Sequence, residues 1–208
     1  MQKIVVFDFD KTLTYNDTLL GFYLHCNPNI ITKSIKFLVY LPFMILFKTS
    51  LIKNDTLKKI GIRIFLYKLT KTNLIKYSKS YAKTIIFNSV FKYFSERVNT
   101  KSNKVYIISA SFESYLSELF KKYDVKVVGS SFIFDSNNKI NGLHNNLYGF
   151  AKKKYLNRVE HLKEIHEFFT DSYSDIYLAK IAKKIIVVKK DKLIKCNSLQ
   201  DFKLLFRK

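Results

Sequence analysis

A chain of 208 residues, 48% of them apolar, is long enough for one ordinary domain with a real core and too apolar to be disordered. Its net charge of +21 points towards polyanions, yet 33 of the 37 basic residues are lysine and only Arg63, Arg97, Arg158 and Arg207 are arginine. Arginine makes the bidentate contacts to phosphates and base edges, so this balance argues against a dedicated nucleic-acid binder; codon usage in an A/T-rich genome would write the same pattern.

In chain order, KIVVF at residues 3–7 is a β-branched run that predicts a buried strand, and it begins too early to leave room for a secretory signal. Residues 16–94 turn helical, with apolar positions three and four apart. Within them, residues 35–47 (IKFLVYLPFMILF) form the most apolar stretch. It is too short to span a bilayer and contains Pro42, so it is expected to be soluble core or a surface that touches membrane. KVYIISAS at 104–111 predicts a second buried strand, followed by an amphipathic helix over 112–123. Residues 125–144 read as a strand and hairpin turning at 136–138, and a basic helix starts near Ala151. HEFFTDSYSD at 166–175 is a strand entering an acidic turn, with a helix over 175–182, KKIIVVKK as the last strand and a final helix at 199–206. Cys26 and Cys196 stand alone, without framework or ligand spacing, which fits a reducing cytoplasm.

Strands alternating with helices predict an α/β fold with a doubly wound parallel sheet, and the long helical block between the first two strands predicts an insertion. Ligands of such sheets bind at the carboxyl ends of the strands. Asp8 and Asp10, Ser109 and Asp171 all fall there, on three different strands. Two carboxylates at i and i+2 repel each other unless a cation sits between them or one holds a proton. With Lys152 at a helix start and Asp175 four residues after Asp171, the oxygen-rich set suits a hard divalent cation, Mg²⁺ best, beside a phosphoryl group. The four histidines have no zinc spacing.

These residues resemble the haloacid dehalogenase superfamily, specifically its phosphoserine-phosphatase-like branch with a helical cap. DFDKT is similar to the DxDxT first motif, IISAS to the second, NLYGFAK to NxxGxxK, and TDSYSD to [GT]DSxxD, in the right order. The resemblance implies a Rossmann-like catalytic core over residues 1–14 and 96–208 and a substrate-selecting cap over 15–95. It implies a Mg²⁺-dependent phosphomonoesterase in which Asp8 is the nucleophile, Asp10 the acid and base, Ser109 a phosphoryl hydrogen-bond partner and Lys152 its counter-charge. Phe9, Thr12 and Ala110 complete the phosphate loops, and Asp8, Asp10, Asp171 and Asp175 hold the metal. Two positions depart from the pattern: Lys11 stands where glycine or serine is commoner, and Thr170 where glycine is.

The cap carries 13 basic residues against Asp17 and Asp55, which suits an anionic substrate. Asp17 and Arg63 occupy places where relatives meet the amine and carboxylate of phosphoserine, so a small metabolite such as phosphoserine or a sugar phosphate is expected. Asp17 serves equally as a helix N-cap. The apolar, lysine-flanked cap text also resembles relatives acting on phosphatidylglycerophosphate-like lipids, which implies peripheral contact with an anionic membrane at its inner face. A non-catalytic basic binding module on the same fold is the reading from another class.

Overall fold

A computed structural model describes residues 2–190 and 192–207. Seven strands form one sheet: β1 Lys3–Phe7, β2 Asn103–Phe112, β3 Lys126–Phe134, β4 Ile140–Asn145, β5 Ile165–Thr170, β6 Ala182–Lys189 and β7 Lys192–Cys196. Their order is β4-β3-β2-β1-β5-β6-β7. The inner five run parallel, while β4 and β7 pair antiparallel at the two edges. The expected parallel sheet forms the inner five strands, β4 is the second arm of the expected hairpin, and only the antiparallel β7 edge is unexpected. KKIIVVKK is not the last strand, because the chain reverses after Lys189 and pairs Lys192–Cys196 back onto β6. The short, half-exposed β7 lacks the continuous apolar run that marks a buried strand.

Helices α5 Phe91–Val98 and α6 Glu113–Phe120 cover one face of the sheet. Helices α7 Phe150–Val159, α8 Ile176–Ala179 and α9 Leu199–Leu204 cover the other. β1, central and buried, stacks Phe7 on Phe169 of β5 at 4.2 Å and edge-on against Phe94 of α5 at 5.5 Å. The expected helix after Asp175 is shorter than read; a 3-10 turn at Tyr173–Asp175 precedes it and β6 begins at Ala182.

The inserted segment leaves the core at Thr14 and returns at Phe87, where the two residues form an antiparallel bridge. Its return is earlier than residue 95, because Phe91 and Phe94 already pack into the core with Phe120 and Tyr123. Between these points lie α1 Leu19–His25, α2 Ile30–Lys48, α3 Asn54–Gly61, a π-helical turn Ile62–Leu66 and α4 Lys71–Ala82. Tyr23 sits at the centre, stacked on Phe65 at 5.2 Å and edge-on to Tyr40. Gly61 lets the tyrosine ring approach, since a Cβ there would lie 2.6 Å from it. The cap is thus an aromatic cluster seated over β2, β3 and β4.

The 35–47 stretch belongs to a helix of 19 residues, long and apolar enough to cross a membrane by length and composition. This corrects the expectation that it is too short. It also corrects the expectation of packed cap core, because Tyr40 is the one fully buried residue of α2. Ile31 and Leu38, at 67% and 64%, are among its most exposed residues.

Candidate active site

After the β3–β4 hairpin the chain crosses back through α7 to β5 on the other side of β1, so a topological switch lies beside β1, where open α/β sheets bind ligands. Asp8 follows β1, Ser109 to Ser111 close β2, and Asp171 follows β5. The three pieces share one cleft of about 170 Å³, roofed by Asp17, Asn54 and Lys58 from the cap. A larger cavity of about 570 Å³ lies between α5 and the β5–β7 flank. There Arg97 and Glu167 already satisfy each other at 2.8 Å, so neither is free for chemistry.

Asp8 is buried, its backbone N–H donating to Phe169 O at 2.9 Å and so extending the sheet by one bond. Lys152 Nζ donates to Asp8 Oδ1 at 2.8 Å and to Asp175 Oδ2 at 2.9 Å. Burial pushes the Asp8 carboxyl well above the usual range, with Asp175 and Asp171 adding to the push and Lys152 opposing it. Burial alone would lower the Lys152 ammonium, but the two carboxylates outweigh it and hold the lysine raised. Lys152 reaches this point because α7 starts at Gly149, whose φ of +58° lies where side chains are strained. The GxxK spacing is therefore a backbone requirement as well as a chemical one.

Asp10 faces the cap. Its Oδ1 accepts from Thr18 N at 2.7 Å and Thr18 Oγ1 at 2.6 Å, and its Oδ2 accepts a short bond from Ser111 Oγ. Enclosure pushes its pKa up to about 6, helped by the charge of Asp17 and opposed by the Ser111 and Thr18 bonds. A carboxyl tuned near 6 can give and take a proton close to neutrality. Asp171 is also pushed up to about 6, by burial and by Asp175, with Lys11 and Lys152 opposing.

The two departures from the motif pattern have structural explanations. Lys11 has φ +55°, a left-handed conformation costing a side chain roughly 1–2 kcal/mol, which is why glycine is common there. Its ammonium offsets part of the burden on Asp171. Thr170 is fully buried and donates to Asp175 Oδ2 at 2.9 Å, a bond no glycine could make. It also accepts from Ser172 N at 3.1 Å, shaping the loop that carries Asp171.

Of the other expected residues, Ser109 and Ala110 line the cleft, and Ser109 Oγ accepts from Ser111 N at 3.0 Å. Phe9 turns its ring into the core against Phe120, so only its backbone can serve a ligand. Thr12 lies buried below the first loop, its hydroxyl 3.5 Å from Asp171 Oδ1, a buttress rather than a binding group. Asp17 both lines the cleft and accepts from Leu19 N at 2.9 Å at the start of α1. Arg63 is a correction: its guanidinium lies over the Tyr67 ring at 4.0 Å, exposed, and it does not line the cleft. The π-helical turn that follows α3 directs it away from the site.

Four contributors escape the motif reading. Ser111 and Thr18 hold Asp10, and Tyr115 shares the Thr18 hydroxyl at 2.7 Å. Lys58 is the fourth, a cap lysine only 1% exposed. It donates to Asn146 Oδ1 at 2.6 Å, Ser130 Oγ at 3.1 Å and Ala110 O, pinning α3 to the ends of β2, β3 and β4. Burial lowers its pKa to about 7. Ser111 is legible in IISAS as its second serine. Lys58 gives no signal among the cap's 13 basic residues.

The donor set fits a divalent metal. Asp171 and Asp175 both raise Asp8, Asp175 also raises Asp171, and the cations set against them are Lys152 and Lys11, so a divalent cation would relieve the excess. Among the described residues no three His, Cys, Asp or Glu side chains form a ready-made cage. Asp10 spends its carboxylate on Thr18 and Ser111, which leaves its backbone carbonyl as the group that could face a metal.

Solved structures share this fold at low identity. A phosphoserine phosphohydrolase-like protein from Francisella tularensis is 17% identical, with 99% of this chain and 100% of that one covered and a TM-score of 0.66. A protein from Bordetella pertussis reaches a TM-score of 0.70 at 11% identity over 90% of each chain. Phosphoserine phosphatase from T. onnurineus has a TM-score of 0.59 at 18% identity, over 89% of this chain and 82% of its own. No curated protein sequence matches. The model of the haloacid dehalogenase-like hydrolases matches residues 5–180, from within β1 to just past α8. That span carries every group gathered at the strand ends, and the chain belongs to this hydrolase family.

Proposed function

We propose that the protein is a Mg²⁺-dependent phosphomonoesterase working through an aspartyl-phosphate. The observation that carries this reading is the division of labour between two carboxylates two residues apart. Asp8 is held by Lys152 on the floor of the cleft, whereas Asp10 is held by neutral donors at a pKa of about 6. Asp8 Oδ attacks phosphorus, the bond from phosphorus to the leaving oxygen breaks, and that oxygen takes the Asp10 proton. Asp10 then accepts a proton from the water that attacks the phospho-aspartate, releasing phosphate and restoring Asp8. Ser109 and the backbone amides of Phe9 and Ala110 bind the equatorial oxygens, and Lys152 balances their charge. Asp8, Asp171 and the Asp10 backbone carbonyl would hold Mg²⁺, with Asp175 steadying it through water. When bound, the ion neutralises phosphoryl charge and lowers the repulsion that the nucleophile must overcome.

A cleft this small takes a phosphate and a few further atoms. With Arg63 turned away, a phosphoserine carboxylate would lack its arginine partner, and Lys11, Asn54 and Asp17 are left to read the leaving group. A second reading, a lipid-linked phosphomonoester, draws support from the cavity beside the site. Phe47 and Ile52 at the end of α2 line it together with Asn54 and Tyr148, which also border the cleft. The non-catalytic reading is disfavoured because every motif side chain stands in a working environment.

The test is phosphate release from p-nitrophenyl phosphate, small metabolite esters and vesicle-borne lipid phosphates, with Mg²⁺ and with EDTA. Metal-dependent release, abolished in Asp8→Asn, is expected. Release that survives Asp8→Asn would overturn the nucleophile assignment, and no release from any class would restore the binding-module reading.

A further inference from the structure

We infer that α2 is an interfacial helix that docks the cap on an anionic lipid bilayer. Its outward face is Ile31, Ile35, Leu38, Leu41 and Ile45, all exposed, continued by Leu51 past the helix end. Spacings of three, four and seven place these on one stripe, about 21 Å long from Ile31 to Ile45 at the helical rise. A contiguous exposed apolar stripe of this length marks a contact surface rather than scattered surface residues. The opposite side of α2 is anchored: Tyr40 packs against Phe65 at 5.4 Å and donates to Leu57 O at 3.3 Å.

The occupant follows from charge and topology. Between Asp17 and Asp55 there is no acidic residue, whereas Lys48 and Lys53 stand at the end of the stripe. Two copies of a chain carrying +21 repel each other, whereas an anionic headgroup layer attracts both the lysines and the whole molecule. Spanning is excluded by the flanking segments. Phe22 of α1, before α2, packs on Phe112 of β2 at 5.9 Å, and Lys58, after it, donates to Ala110 O on the same strand. A single crossing would put these two contacts on opposite sides of the bilayer. The helix therefore lies in the interface plane, apolar face down, as amphipathic anchors do. Docked this way, the cavity bordered by Phe47, Ile52 and Tyr148 opens near headgroup depth.

The inference does not depend on catalysis, and its test is independent of it. The chain has no tryptophan, so Leu38→Trp gives a single reporter, with Ile86→Trp, at a position 73% exposed in the link from α4 to α5, as the control. Vesicles of phosphatidylglycerol and phosphatidylcholine should blue-shift the indole emission of Leu38→Trp and leave that of Ile86→Trp unshifted, and wild type should float with them at physiological salt. Leu38→Asp with Ile45→Asp should cut the bound-to-free ratio about tenfold or more, with an unchanged circular dichroism spectrum. Asp8→Asn should float like wild type, whatever its activity. Failure of wild type to float, equal flotation of the double variant, or a dimer that the double variant dissolves would each overturn the inference; the last would assign the stripe to a second copy. Resistance to alkaline carbonate extraction would overturn the in-plane orientation.

Discussion

The floor of the cleft and the outer face of α2 break the same rule in opposite directions. On the floor, Asp8, Lys152 and Asp175 are charged groups with at most 6% exposure. On α2, aliphatic side chains stand more than half exposed. Folded chains ordinarily bury the second kind and expose the first. Each departure lowers stability by itself, so each implies a partner that the chain supplies only in part. On the floor the crowded carboxylates push Asp8 and Asp171 upwards and call for a cation and a phosphoryl group. On α2 the stripe calls for an apolar phase rimmed with negative charge.

The sharpest way to break this comparison is Asp8→Asn, which removes charge from the crowded floor without changing shape. Phosphatase kcat/KM should fall by at least about 10³-fold, as for loss of other covalent nucleophiles. The unfolding midpoint should hold or rise, because Lys152 keeps Asp175 as its partner. Lys152→Met is the contrasting variant: it strands two buried carboxylates and should lower stability by roughly 3–5 kcal/mol, read by urea denaturation. A Lys152→Met protein as stable as wild type would mean that the buried carboxyl groups need no cation to balance them.

Next comes the proton-handling side. Asp10→Asn should reduce kcat by about 10²–10⁴-fold, the usual worth of a positioned acid and base. Ser111→Ala deletes one of the three hydrogen bonds on that carboxylate and should cost roughly tenfold, about one hydrogen bond to a charged group. A Ser111→Ala enzyme as slow as Asp10→Asn would show that Ser111 touches the substrate itself rather than positioning Asp10.

How much of this is legible in the sequence follows from what each feature depends on. Asp8, Asp171 and Lys152 follow strands or open a helix, and local sequence announces those ends through buried runs and through Gly149. Lys58 and Tyr115 act across the boundary between cap and core, where sequence separations of 52 to 97 residues leave no spacing to read. β7 escapes because an edge strand needs no apolar run when one face meets solvent. The exposure of α2 contradicts the premise that an apolar helix must be covered, and Arg63 lies in a π-helical turn that no residue spacing announces.

Lys58 links the two regions, because it fastens the α2–α3 side of the cap to the floor. Its folded pKa of about 7 lies below that of an unfolded lysine, so between these values the unfolded chain holds the extra proton. Its contribution to stability is therefore full above the unfolded pKa and is lost as pH falls towards 7. Relative to Lys58→Met, wild type should gain in urea midpoint from pH 7 to pH 10, and a flat difference would mean that the ammonium persists in the folded state. The same variant frees α3 from Asn146 and Ala110, so KM should rise more than kcat falls.

The smallest effect is expected at Arg63. Exposed cation–π contacts of the kind it makes with Tyr67 are worth about 0.5–1 kcal/mol, so Arg63→Ala should lower stability by no more than that. Because the guanidinium lies outside the cleft, kcat/KM should change by less than about twofold, a difference of roughly 0.4 kcal/mol. The measurement is worth making because it separates two pictures of the cap. If Arg63→Ala loses activity on a carboxylate-bearing ester but not on p-nitrophenyl phosphate, the π-turn must rewind during turnover and bring the arginine inwards. If both substrates are unaffected, the cap works as it stands, with Asn54 and Asp17 facing the leaving group and α2 free to hold the bilayer.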